Sequence, residues 1–136
     1  MATLDLSHIR PGLVGTAELV VAEEQTAPRV GSGRIPVLAT PVMINVIEAA
    51  ALAAVEHLLP AGHQSLGIHL DVRHFAATPV GLKVTATAEV IAVDGRSVTF
   101  RVSARDDREP IGEGTHQRVV VNVARYEERV RRKSLG

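Results

Sequence analysis

The chain contains no cysteine and no tryptophan, and its 136 residues include only two phenylalanines and one tyrosine. Without cysteine there are no disulfides, no thiolate metal ligands and no thiol nucleophile. Scarce aromatics remove the stacking platforms that hold single-stranded nucleic acid. A formal net charge of zero, from 15 basic and 15 acidic residues, removes the basic excess of a nucleic-acid binder. No stretch reaches the ~18 consecutive apolar residues of a membrane span. The start, MATLDLSHIRPG, lacks a basic segment followed by an apolar run, so no secretory signal is expected and the cytoplasm is the default. Neither nucleic acid nor membrane is expected as a partner. With Phe75, Phe100 and Tyr126 the only aromatics, the core must be Val, Leu, Ile and Ala. The length suits one domain, 1–136, with a real core.

What is present is ordered by period. Gly12 to Val21 reads as a strand. Residues 22–38 hold Pro28, Gly31, Gly33 and Pro36 and form a long loop of the kind that often serves as a lid. The stretch LATPVMINVIEAAALAAVEHLL, Leu38 to Leu59, is apolar nearly all round and predicts a helix over 40–59 that must be wrapped. Thr40-Pro41 suits its start, threonine as N-cap and proline at the first helical position. Pro60-Ala61-Gly62 ends it. Alternation then predicts four strands. In the first, Ile68, Leu70, Val72 and His74 share the face that should meet the helix. Leu82 to Val90 and Val98 to Ala104 alternate around the hairpin signal Asp94-Gly95. The last strand, about Ile111 to Ala124, has Val119, Val121 and Val123 on the expected core side, with His116 and Arg118 opposite. Residues 125–136 form a charged tail. The order predicts an α+β domain, an antiparallel sheet with one covered face around one central helix. An outer helix side that stays apolar also points to a partner subunit.

Glu48 is the one acid in the middle of the apolar helix. A carboxylate there must be paired, hydrogen-bonded or protonated, because burying it alone costs several kcal/mol. Reaching solvent or a structural partner would be its ordinary fate. Asn45 lies one turn back on the same face. By strand parity His74 faces the helix. A core histidine held by a backbone carbonyl is the commoner case, but a buried acid facing a buried base marks a functional site. Thr40 is explained by capping alone. It stands eight residues before Glu48, roughly 12 Å of helical rise, so the two cannot bond within one straight helix. A site using both needs a bent helix start or two subunits. His57, His63 and His69 fall on different elements, so no metal site is expected. GSGR, Gly31 to Arg34, lacks the strand-to-helix setting of a phosphate loop. Arg129, Arg131, Arg132 and Lys133 suit a solvated end or a phosphate-bearing ligand.

Several segments together carry a resemblance: LATPVMINVIEAA, QSLGIHLDVRHFAATPVGLKVTATAEV, the DGR hairpin, FRVSARD and IGEGTHQRVVVNV. The chain resembles the hot-dog fold thioesterases, and among them the fluoroacetyl-CoA thioesterase group, over nearly its whole length. The resemblance implies about five strands around the central helix. It implies a homodimer, or a dimer of dimers, with sheets joined side by side. It implies hydrolysis of short or medium acyl-CoA thioesters with no cofactor beyond the coenzyme A of the substrate. Carried over, Thr40, Glu48 and His74 would be catalytic, while Gly67 and Arg118 would border the substrate, with Asn45 beside them. The fluoroacetyl-specific enzyme has a phenylalanine-bearing lid just before the threonine. GSGRIPV, Gly31 to Val37, has no aromatic, which implies a different short or medium acyl group. Two other classes remain open. One is a non-catalytic acyl-CoA-binding protein. The other is an acyl-CoA hydratase or dehydratase, for which the acid nearest His74 in sequence, Asp71, falls on the opposite strand face.

Overall fold

The computed structural model describes residues 4–136, so the first three residues of the expected domain lie outside it. Five strands form one antiparallel sheet: β1 (Val14–Val20), β2 (His63–His74), β3 (Lys83–Asp94), β4 (Ser97–Arg105) and β5 (Pro110–Asn122), in the order β1-β3-β4-β5-β2. A four-residue helix, α1 (Ala27–Val30), sits in the loop after β1. The long helix α2 (Thr40–Val55) continues as one 3-10 turn, Glu56–Leu58. The charged tail is itself helical, α3 (Val123–Leu135), capped by Asn122, whose side chain accepts from Arg125 N at 3.1 Å.

The alternation predicted for β3 and β4 holds. Val84, Ala86, Ala88, Val90, Val98, Phe100, Val102 and Ala104 are all buried. They meet Met43, Val46, Ile47, Ala50, Ala51, Ala54 and Val55 of α2. Small residues let helix and sheet approach closely: a Cβ on Gly15 of β1 would run into the α2 backbone at Ala50 and Ala54. Gly95 adopts φ +59° at the β3–β4 turn, as a two-residue hairpin requires.

Three expectations need correction. First, α2 is only half covered. The helical stretch Thr40–Leu58 is long and apolar enough for a membrane span by length and composition, and a little under half of it is buried inside the fold. The buried face accounts for that half as core. Pro41, Asn45, Ala49, Leu52 and Ala53 remain exposed. Second, β2 breaks strict alternation. The register shifts between Gly67 and His69, and this bulge turns both Gly67 and His74 toward the α2 side, although odd and even positions of a regular strand face opposite ways. Ile68 and Leu70 are not covered by the helix; they stay 54% and 41% exposed on the sheet edge. Third, the parity of β5 is reversed. His116, Arg118 and Val120 are the buried residues. Val119 and Val121 are only partly buried, as is Val123, which opens α3 instead of continuing the strand, and Val121 shares a groove with Val123, Tyr126 and Val130 of α3. The tail helix gives the valines a second apolar surface, which frees the inner face for polar groups.

Candidate active site

The loop between β1 and α2 is tied to the sheet before the helix begins. Leu38 N donates to Thr78 O at 2.8 Å, and Val37 forms a bridge with Pro79. Buried Asp106 anchors that second segment by accepting from Thr78 Oγ1 at 2.8 Å, Arg108 N at 2.8 Å and Glu109 N at 3.0 Å. These ties set the start of α2 against the end of β2. Ala39, not Thr40, takes the N-cap position, and no side chain caps the helix. The expected capping role of Thr40 is therefore overturned: it stands one residue inside the helix, with its hydroxyl free for another partner. That partner is His74, with Thr40 Oγ1 2.7 Å from His74 Nδ1. His74 Nε2 is out of solvent and has no hydrogen-bond partner. Burial lowers the His74 pKa below 6.5, opposed in part by the Ala76 backbone, so the ring is neutral at neutral pH. The pair opens onto a cleft of about 400 Å³ whose walls include Ile35, Val37 and Phe75.

Glu48 belongs to a different neighbourhood within the chain. Its Oε2 accepts from Arg118 Nη1 at 3.1 Å and lies 4.0 Å from His116 Nε2. The guanidinium is held from behind: Nε donates to Ser65 Oγ at 2.8 Å and Nη2 to Ser65 O at 3.0 Å. Ser65 is held in turn by Glu56, which accepts from its N–H at 2.9 Å and its hydroxyl at 2.6 Å. His116 stacks on Phe100 with centroids 5.9 Å apart. Its Nδ1 lies 2.8 Å from His69 O, so the ring donates there and Nε2 can accept from Arg118 Nη1 at 3.2 Å. Burial lowers the His116 pKa; the His69 carbonyl raises it, Arg118 lowers it and Glu48 raises it, with burial dominant.

Gly67 pairs with Arg118 across β2 and β5. A Cβ there would lie 2.5 Å from Glu48 Oε2 and 3.2 Å from His116 Cε1, so glycine leaves the carboxylate its room. Asn45 is elsewhere. At about 100° per residue, one turn of three positions carries it off the Glu48 bearing, and it lines a shallow exposed depression with Ala17, Leu19 and Val42 beside β1. The chain thus brings Thr40 together with His74, and Glu48 together with Arg118 and Gly67, without joining the two groups.

Sequence reasoning missed Ser65, Glu56 and His116. The THQR segment placed His116 two residues from Arg118, and that spacing was the available signal; Ser65 and Glu56 carry none.

Known proteins share this arrangement of strands and helix. Residues 21–124 match the fluoroacetyl-CoA-specific thioesterase family. The chain belongs to that family. It is 44% identical over 98 residues to the fluoroacetyl-CoA thioesterase of Streptantibioticus cattleyicolor, covering 72% of this chain and 70% of that one. A solved fluoroacetyl-CoA thioesterase structure superposes with a TM-score of 0.87 at 37% identity, over 92% of this chain and 97% of that one. A thioesterase superfamily member from Thermus thermophilus gives 0.83 at 28% identity, over 93% of each chain. The sheet and central helix are those of the hot-dog fold.

Proposed function

We propose that the protein is an acyl-CoA thioesterase that hydrolyses a short or medium acyl-CoA to the free acid and coenzyme A. Family membership supports the reaction class. The single observation that carries the chemistry is the 2.7 Å contact between Thr40 Oγ1 and His74 Nδ1. A hydroxyl is a weak nucleophile until a base takes its proton. His74, neutral because burial lowers its pKa, is that base. Thr40 Oγ1 attacks the thioester carbonyl while its proton passes to His74 Nδ1. The tetrahedral intermediate collapses, the C–S bond breaks, and the imidazolium returns its proton to the departing thiolate. Water then attacks the acyl-threonine carbonyl while the same imidazole takes its proton; the C–O bond to Thr40 breaks, the imidazolium returns the proton to Thr40 Oγ1, and the acid leaves.

Glu48, Arg118 and Gly67 supply the opposite wall of the site from a second copy of the chain. Two features support such a homodimer. β2 is a 12-residue edge strand with one open side and exposed Ile68 and Leu70, and an open apolar edge is a template for pairing. The uncovered side of α2 is also apolar. In a symmetric pair each Thr40–His74 centre faces the partner's Glu48, whose carboxylate stabilises the imidazolium and orients water. The lack of any aromatic in Gly31 to Val37 supports an acyl group other than fluoroacetyl.

The test is thiol release from an acyl-CoA panel, followed by acid quench and intact-mass analysis. An acyl adduct on Thr40 is expected. Full turnover with no adduct at the earliest quench times would assign the attack to water activated by Glu48 instead.

A further inference from the structure

One of the two phenylalanines is placed where the core does not use it. Phe100 is fully buried, whereas Phe75 is 47% exposed. It follows His74 directly, and its backbone N–H donates to Ile111 O at 2.9 Å, which fixes the segment against β5. From that position Phe75 lines the same cleft as Thr40 and His74. Ile35, 69% exposed on the loop before α2, lines the same cleft. Val37, Ala76 and Ala77 add to its apolar lining. Two large exposed apolar side chains from separate segments thus line the cleft that holds the reactive pair, and covering them with an apolar group is favourable.

We infer that Phe75, with Ile35, forms the wall that receives the acyl chain, and that the substrate's acyl group is aliphatic and longer than acetyl. This rests on the thioesterase reading of the Thr40–His74 pair. The cleft is open toward solvent, so Phe75 acts as a contact surface rather than a stop. Each methylene laid against it favours the transition state by about fourfold. Arg34 also lines the cleft and defines the competing outcome, an acyl group ending in a carboxylate.

The experiment measures kcat/KM for acetyl-, propionyl-, butyryl-, hexanoyl- and succinyl-CoA with the full chain and its Phe75→Ala, Phe75→Leu and Ile35→Ala variants. Wild type should gain about fourfold per methylene from acetyl to butyryl. Phe75→Ala should cut the butyryl-to-acetyl ratio at least ~4-fold, and Phe75→Leu should restore most of it. If Phe75→Ala does not fold, Ile35→Ala, on an exposed loop, should shift the ratio the same way. Equal effects on every thioester, a change in oligomeric state without a change in the ratio, or a preference for succinyl-CoA would overturn the inference and leave the thioesterase reading standing. Thiol release from none of the substrates would overturn that reading, and the inference with it.

Discussion

Thr40 Oγ1 and His74 Nδ1 lie 2.7 Å apart across 34 residues of sequence. The contact exists because Ala39 takes the cap position and leaves the Thr40 hydroxyl unused by the helix. Thr40→Ala should therefore abolish thiol release while costing about 0.5 kcal/mol of stability, the low end for one exposed hydrogen bond. Thr40→Ser, which keeps the hydroxyl, should retain activity. Denaturant titrations of both variants beside their rates check this. A loss of stability as large as a lost cap would return Thr40 to a structural role.

Glu48→Gln and His74→Ala should each lose at least ~100-fold in kcat, a typical acid–base contribution. Steady-state kinetics on the best acyl-CoA measure this. Near-normal turnover in either variant would remove that residue from the mechanism.

The Glu48 carboxylate is aimed by a chain of bonds through Arg118, Ser65 and Glu56. Arg118→Met should lower kcat at least ~10-fold and destabilise the fold by about 3 kcal/mol, because it strands a partly buried carboxylate beside His116. Ser65→Ala should leave Arg118 charged but loosely held, and should lower kcat more than it raises KM. Equal KM and kcat effects would mean that Ser65 is merely structural.

Stability should fall in mild acid, and the sign follows from the histidines. His74 and His116 both have folded-state pKa values below the ordinary 6.5, chiefly because burial disfavours the charged ring. The unfolded chain then binds more protons below that pH. Their contribution is complete above about pH 6.5 and is lost as the pH falls through the folded-state values. The rate should also fall in acid as His74 ceases to accept a proton, with this limb raised in the dimer by the partner's Glu48. Thermal unfolding between pH 7.5 and 5 checks the first statement and a pH–rate profile the second. Stability that holds or rises as the pH falls would contradict the first, and a rate with no acidic limb the second.

Much of the fold was legible because it depends on period. The valine and alanine alternation of β3 and β4 has one burial solution, and the breakers after Leu59 end α2. The residues that escaped did so for local physical reasons. A single extra residue at the β2 bulge reverses which positions face α2, and nothing in QSLGIHLDVRH announces it. On β5 the valines were the obvious inward set. The structure turns His116 and Arg118 inward instead, because Glu48, Ser65 and His69 O satisfy their polar atoms while α3 shelters the valines. Polar satisfaction across three elements has no periodic signature. For the site, residue types marked Thr40, Glu48 and His74, but capping chemistry hid the partner of Thr40. Phe75 appeared only as one of the three aromatics, with no part in the site.

In the proposed dimer one chain supplies Thr40–His74 and its partner supplies Glu48. Subunit complementation tests it most directly. Thr40→Ala and Glu48→Gln proteins, each inactive alone, are co-refolded and assayed for thiol release. A mixed dimer has one doubly altered site and one intact site by symmetry, so a random mixture should recover about one quarter of wild-type activity. No recovery in a mixture whose heterodimers are verified by native mass spectrometry would contradict the shared site.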